Sequence, residues 1–262
     1  MQTGMVRSTA QVWGVVLAVL FQICATFLPA LGFGVNIGEQ SDATNTLITP
    51  AGWAFIIWGP LYTGSIVYAV YQAMPRQRSN GLLASTAWPA ACAFFGNGLW
   101  ALYVQFTDLN GVSVAIIAFT LASILTAFRQ MAPWQTAFSR AEQWCVVLPL
   151  STLAAWLSAA SIVNVAASLK YHGVDAGSLG PTLSAAVVLA GGIIAATAVL
   201  RERGNPWYAL VFLWALAAIH AAGGQVSEYV GMATLIAAAL VSAAALYALA
   251  NAGNRRHWFK AG

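Results

Sequence analysis

The chain has 262 residues and a formal net charge of +4, with 60% hydrophobic and only 7% charged residues. Soluble domains carry roughly 25% charged residues, so this composition excludes an ordinary soluble fold and predicts a protein that lies largely within a bilayer. The basic residues form no basic-aromatic pattern. The sequence therefore predicts contact with anionic lipid headgroups and no nucleic-acid partner.

Eight apolar stretches of membrane-spanning length follow one another along the chain. A bilayer core about 30 Å thick needs about 20 apolar residues per helix, and eight such helices use most of the sequence. The predicted spans are residues 11–33, 50–73, 84–104, 112–128, 143–167, 181–200, 206–222 and 229–250. The sequence therefore predicts an all-α, polytopic membrane helical bundle.

Positive charge lies on one side of this predicted zigzag. When the segments between spans are assigned alternately to two sides, ten of the eleven Lys and Arg residues share the side that holds both termini. They are Arg7, Arg76, Arg78, Arg129, Arg140, Arg201, Arg203, Arg255, Arg256 and Lys260. Only Lys170 lies on the other side. Because basic loops stay in the cytoplasm, both termini are predicted to be cytoplasmic in a multi-pass protein of the cell (inner) membrane.

The spans divide into two parts of different composition. Residues 1–170 hold five spans rich in Trp, Tyr, Phe and Asn, whereas residues 171–262 hold three spans of mainly Ala, Val, Leu and Gly. Small residues let helix backbones approach closely in lipid, so Ala186, Ala190 and the alanines at 243–245 predict packing surfaces. We interpret the second part as a scaffold whose small-residue faces could also join two copies in a homodimer.

The second span carries an aromatic face. At about 100° per residue, Phe55, Trp58 and Tyr62 fall within a sector of about 60°, while Trp53 points elsewhere. Pro60 stands inside the predicted helix, where it should cause a kink and free a carbonyl. This face is the first candidate wall of a binding site.

Indole and amide groups recur on the third and fifth spans. Asn97 and Trp100 are three residues apart and share one face of the third span. Trp156, Ala160 and Asn164 follow one stripe of the fifth span at four-residue steps, and the small Ala160 leaves a notch between its neighbours.

The predicted topology brings these groups to one level in the outer half of the membrane. The first loop, residues 34–49, lies above them and is long enough to act as a lid. Apolar, aromatic walls with a few donors are typical of a pocket for a flat hydrophobic ligand. The alternative is that Asn97 and Asn164 only bond neighbouring helices to each other.

These residues resemble the sequence signatures of the TspO/MBR family, the tryptophan-rich sensory or translocator proteins. The second span is similar to that family's second-helix signature through Pro50, Ala51, Gly52, Trp53, Phe55, Trp58, Leu61, Tyr62 and Tyr68. The pair Asn97 and Trp100 resembles its third-helix Asn-x-x-Trp, and the stripe on the fifth span resembles its fifth helix. The resemblance covers about residues 10–170. It implies a five-helix TspO-like core (1–170) followed by a three-helix C-terminal membrane extension (171–262).

The resemblance also implies a function and a set of ligand-binding residues. Members of that family bind tetrapyrroles such as protoporphyrin and haem, and other hydrophobic small molecules, so we expect such a ligand and no required cofactor. The residues that the resemblance implicates are Trp53, Phe55, Trp58, Asn97, Trp100, Trp156, Ala160 and Asn164. The aromatic face of the second span adds Tyr62.

Two other functions are the alternatives to ligand binding. One is uncoupled transport of a lipophilic solute, because no Asp, Glu, Lys or Arg lies deep in a span to couple transport to an ion. The other is enzymatic breakdown of a tetrapyrrole. The sequence shows no nucleophile–base pair, phosphate loop or metal cluster, so we expect no enzymatic activity, no catalytic residue and no metal site.

Overall fold

The computed structural model describes residues 6–260 and contains helices and connecting turns, with no strand among those residues. The helices are α1 (Thr9–Phe27), α2 (Ile37–Ala43), α3 (Trp58–Ala73), α4 (Gly81–Phe106), α5 (Gly111–Arg129), α6 (Arg140–Glu142), α7 (Leu148–Tyr171), α8 (Gly180–Arg201), α9 (Pro206–Ala221), α10 (Gly223–Val226), α11 (Glu228–Ala250) and α12 (Ala252–Phe259). A 3-10 helix, Gly52–Ile57, leads into α3, and a π-helix, Gln143–Val147, joins α6 to α7. The predicted all-α membrane bundle is confirmed.

Seven helical segments of the described chain are long and apolar enough to cross a membrane. The remaining predicted span corresponds to α4, which has 26 residues and no charged side chain but is made less apolar by Pro89, Asn97 and Gln105. This helix packs against both α1 and α5. It runs from Asn80, at the end of the bundle that holds the N-terminal segment, to Thr107 beneath the first loop.

Contacts at the two ends of the bundle follow the predicted zigzag. The backbone N–H of Arg7 donates to the carbonyl of Arg78 at 2.8 Å, which joins the N-terminal segment to the second loop. The indole of Trp258 donates to the carbonyl of Arg203 at 3.0 Å, which joins the C-terminal segment to the sixth loop. Lys170 lies at the opposite end, where its ammonium group donates to the first loop. We call these the arginine end and the outer end.

Pro60 occupies a different position from the one predicted. The residues before it form the 3-10 helix, so α3 begins at Trp58 and Pro60 lies in its first turn. Proline is tolerated there because the first N–H groups of a helix have no intrahelical acceptor. The expected mid-helix kink is therefore replaced by a change of helix type.

The second part of the chain packs directly on the first. The backbone N–H of Ala51 donates to the carbonyl of Ala218 on α9 at 3.0 Å. The indole of Trp214, also on α9, donates to the carbonyl of Ala54 at 3.2 Å. Helix α9 thus holds the 3-10 helix in place through two hydrogen bonds.

Close packing of α8 on α11 depends on small residues, although not on all of those predicted. Ala186 and Ala190 are exposed on the outside of the bundle, whereas Val188 and Gly192 are buried. A Cβ atom added to Gly192 would lie 2.9 Å from the Cα of Ala237 on α11. The two backbones meet at a distance that only glycine allows.

A Gly192→Ala substitution is expected to destabilise the protein by about 1–3 kcal/mol, because the added methyl must push α8 away from α11. Thermal unfolding in detergent micelles checks this. Gly180→Ala on the same helix is the matched control, since its added Cβ would meet only Ala176 at 4.0 Å. Equal melting temperatures for the two variants would contradict the close approach.

Candidate functional site

Six of the nine predicted site residues surround one cavity near the outer end of the bundle. They come from the 3-10 helix, α3, α4 and α7, and are Phe55, Trp58, Trp100, Trp156, Ala160 and Asn164. The cavity has a volume of about 50 Å³. It is the point at which three separate segments bring aromatic rings and an amide together.

The 3-10 helix explains why Phe55 and Trp58 both face the cavity. A 3-10 helix has about three residues per turn, so side chains at i and i+3 lie directly above each other. Phe55 lies within this helix, and Trp58 follows immediately at the start of α3. The tighter helix therefore aligns the two side chains more closely than the predicted α-helix, in which they would lie about 60° apart.

The aromatic rings pack around Trp58. Its ring is roughly parallel to that of Trp100, with centroids 6.4 Å apart and an interplanar angle of 27°. The Trp156 ring approaches Trp58 edge-on at 5.9 Å and Phe55 edge-on at 6.3 Å. Offset and edge-to-face pairs are the favoured aromatic geometries, so the walls are fixed by ring–ring contacts as well as by burial.

Asn164 connects three helices behind this aromatic group. Its side-chain oxygen accepts a hydrogen bond from the indole N–H of Trp100 at 2.7 Å. Its side-chain nitrogen donates to the hydroxyl of Ser113 on α5 at 2.8 Å. Asn164 is buried and also lines the cavity, so it both bonds neighbouring helices and fixes the orientation of one wall.

Trp53 and Tyr62 lie outside the cavity wall. Trp53 is 47% exposed and packs edge-on against Trp214 of α9, with ring centroids 4.8 Å apart. Tyr62 stacks on Trp58 at 5.3 Å. Tyr62 therefore supports a wall residue from behind, whereas Trp53 anchors the 3-10 helix to α9.

Asn97 also lies outside the cavity wall. Its side-chain nitrogen donates to Gln22 on α1 at 3.3 Å, and Gln22 donates to Ser65 on α3 at 3.0 Å. These contacts join α1, α3 and α4. The geometry at Asn97 corresponds to the alternative in which a membrane-embedded amide bonds neighbouring helices.

Other wall residues carry no chemical signature that the sequence could reveal. Ile37 and Ser41 reach the cavity from α2, and Ala215 and Ile219 reach it from α9. The remaining wall residues are Pro50, Leu109, Ala159 and Val163. Ala159 and Val163 could have been found as neighbours of the stripe on α7. The contribution of α9 depends on how distant helices pack, and the sequence assigned that helix to the scaffold.

The first loop covers the cavity and is held to the end of α4; we call residues 34–49 the lid. The backbone N–H of Val35 donates to the carbonyl of Gln105 at 2.8 Å. The side-chain amide of Gln40 donates to the carbonyls of Val104 at 3.0 Å and Thr107 at 2.9 Å. These bonds satisfy carbonyls at the C-terminus of α4, which have no partner within the helix.

Two tryptophans that line the cavity have an indole N–H group without an acceptor. Among residues 6–260, the Nε1 atoms of Trp58 and Trp156 are buried and make no hydrogen bond. A buried donor without an acceptor costs about 1–3 kcal/mol, and such groups usually have a specific cause. The same part of the chain contains no group of three or more His, Cys, Asp or Glu residues placed to hold a metal ion.

The cavity beneath the lid is small. Pockets for drug-sized ligands usually have volumes of about 300–1,000 Å³, which greatly exceeds the present cavity. A ligand larger than a few atoms can therefore enter only if the lid or the aromatic rings move.

Comparison with known proteins supports one assignment. No curated protein and no solved structure shows significant similarity to this chain. A family model described as TSPO-like protein matches residues 8–247. The match extends beyond residue 170 and takes in α8, α9 and most of α11, so it includes the helix that completes the cavity wall. The chain belongs to the TSPO-like proteins, the TspO/MBR family that its second, third and fifth spans resemble.

Proposed function

We propose that this membrane protein binds a hydrophobic small molecule in the cavity beneath the lid, and that the ligand is a flat tetrapyrrole such as a porphyrin or haem. The observation that carries the proposal is the pair of buried indole N–H groups without an acceptor, on Trp58 and Trp156, in a mainly apolar, aromatic wall that also holds the amide of Asn164. A ligand with a flat apolar body and a few acceptor atoms would stack on the rings and accept these two donors.

Binding requires the lid to open, and the lid contacts are suited to that change. The bonds between the lid and the α4 end involve one backbone amide and the side chain of Gln40. Breaking a few such bonds at the membrane surface costs little, because water can replace them.

We propose a binding role without catalysis and with no required cofactor. We place the protein in the cell (inner) membrane, with the arginine end in the cytoplasm.

Titration of the purified protein with protoporphyrin, followed by tryptophan fluorescence, tests this function. Trp58→Phe and Trp156→Phe each keep a ring but remove a donor, so each is expected to weaken binding about 3- to 10-fold. Trp144→Phe is the control, because Trp144 is exposed at the start of the fifth span and does not line the cavity.

The possible results separate the parts of the proposal. Absence of saturable binding to the wild-type protein would remove tetrapyrroles as ligands. Equal dissociation constants for all three variants would place the binding site elsewhere. Porphyrin flux across proteoliposomes that hold the protein would favour the uncoupled transporter over a binding protein.

A further inference from the structure

A second, larger cavity lies on the membrane-facing side of the bundle, between α5, α7, α8 and α9. Its volume is about 570 Å³. Its walls are mainly apolar side chains that include Leu121, Leu125, Phe128, Ile162, Val165, Ile194 and Phe212. The cavity forms because α8 packs mainly on α11 and makes only slight contact with α7, which leaves an apolar channel between them.

A smaller cavity continues this channel toward the outer end. It has a volume of about 260 Å³, lies between α5 and α7, and extends to Val114. The two cavities share four wall residues, which are Leu121, Leu125, Ser161 and Val165. From Val114 to Arg129 the channel follows 16 residues of α5, and the 15 steps between them rise about 22 Å at 1.5 Å per residue. One leaflet has a hydrocarbon depth of about 15 Å, so an entire acyl chain fits along the channel.

Charged groups are confined to the arginine end of this channel. Arg129 is the last residue of α5 and Arg201 is the last residue of α8, and both side chains are exposed at the mouth of the larger cavity. Glu202 lies beside them. Two arginines against one acid leave a net positive charge at the level where lipid headgroups lie.

Glu202 adds a hydrogen-bonding group at the same place. Its Oε2 atom is buried and has no partner among residues 6–260. Burial raises the pKa of this carboxyl group, and the nearby Arg129 opposes that shift. A headgroup that carries hydroxyl groups as well as a phosphate would satisfy both Glu202 and the arginines.

We propose that the channel binds one anionic phospholipid of the cytoplasmic leaflet, with its phosphate between Arg129 and Arg201 and one acyl chain along α5 and α7. Basic pockets between helices on the cytoplasmic side are suited to acidic headgroups, and the apolar channel supplies the place for the chain. A second copy of this protein is a poorer occupant. A two-fold axis along the membrane normal would bring the same arginines of both copies together, and like charges repel.

Native mass spectrometry of the full chain in detergent tests the proposal. The probe is an equal mixture of phosphatidylglycerol and phosphatidylcholine with identical acyl chains. The wild-type protein is expected to retain one phosphatidylglycerol in preference to phosphatidylcholine. In the double variant Arg129→Gln/Arg201→Gln, the ratio of retained phosphatidylglycerol to phosphatidylcholine should fall about fivefold for each arginine removed.

Two further variants distinguish recognition of the lipid headgroup from recognition of its acyl chain. Arg255→Gln/Arg256→Gln removes two arginines of α12 that do not line the channel, and it should keep the preference. Ala198→Phe places a ring in the channel from α8 and should reduce retention of both lipids.

Three results would overturn the proposal. They are a wild-type protein that retains both lipids equally, an Arg129/Arg201 variant that keeps its preference, and displacement of the lipid by free glycerol phosphate. Dimers that form through this face and dissociate in the Ala198→Phe variant would assign the channel to a second copy instead.

Discussion

Hydrogen exchange of the lid amides is expected to increase about 10- to 100-fold in a Gly223→Ala variant. Gly223, at the start of α10, lies directly beneath the lid, and a Cβ atom added there would be 2.6 Å from the carbonyl carbon of Leu47. Backbone cannot yield as a flexible side chain can, so the lid must shift at a cost of about 1–3 kcal/mol. The amide of Thr49, which donates to the carbonyl of Thr46 in the turn that contains Leu47, is the most direct reporter, and the amide of Val35, bonded to Gln105, reports on the far end of the lid.

Gly52→Ala is the matched control for this experiment. Gly52 lies at the same end of the bundle, and an added Cβ there would meet no atom within 4 Å. We expect wild-type exchange at the lid in this variant. If the Gly223→Ala lid stays as protected as that of Gly52→Ala, then the lid is not positioned by α10. This readout needs no ligand, so it does not depend on the proposed binding function.

The architecture was predictable because its signals are local. A run of about 20 apolar residues indicates a span wherever it occurs, and the positions of the arginines assign the ends of each span. The stripe of Trp156, Ala160 and Asn164 was predictable for a similar reason, since four-residue steps stay on one face of any regular α-helix. All three residues line the cavity.

The remaining features depend on contacts between distant parts of the chain. Helical periodicity already placed Trp53 away from the face that holds Trp58, but its partner, Trp214 of α9, depends on how the second part of the chain packs on the first. Ala215 and Ile219 form part of that wall only because α9 lies against the 3-10 helix. Such residues look like any other apolar membrane residues, so composition alone could not distinguish scaffold from site.

An Asn164→Leu variant is expected to lose both stability and ligand affinity. Leucine keeps a similar volume but leaves the indole N–H of Trp100 without its acceptor and removes a donor to Ser113. Interhelical hydrogen bonds in membrane proteins average about 0.6 kcal/mol, and an orphaned buried donor adds about 1–3 kcal/mol. We expect the free energy of unfolding to fall by about 2–4 kcal/mol, as measured by equilibrium unfolding in mixed micelles.

Asn97→Leu provides the comparison that separates the site from helix bonding. Asn97 is also a buried amide, but its bond to Gln22 is long at 3.3 Å and it does not line the cavity. This variant should lose less stability and should keep the wild-type affinity for protoporphyrin. Wild-type affinity for protoporphyrin in both the Asn97 and the Asn164 variants would show that neither amide acts on the ligand.

The double variant Trp100→Phe/Asn164→Leu decides how Asn164 acts. Its role is either to hold the Trp100 ring in the cavity wall or independent of that ring. In the first case, replacing both partners removes the indole N–H that Asn164→Leu alone would leave without an acceptor. The double variant should then lose less free energy of unfolding than the two single variants lose together. A coupling energy of about 1 kcal/mol or more is expected for residues in direct contact. Strict additivity would mean that the two side chains act separately. The wall would then depend on ring packing around Trp58 alone.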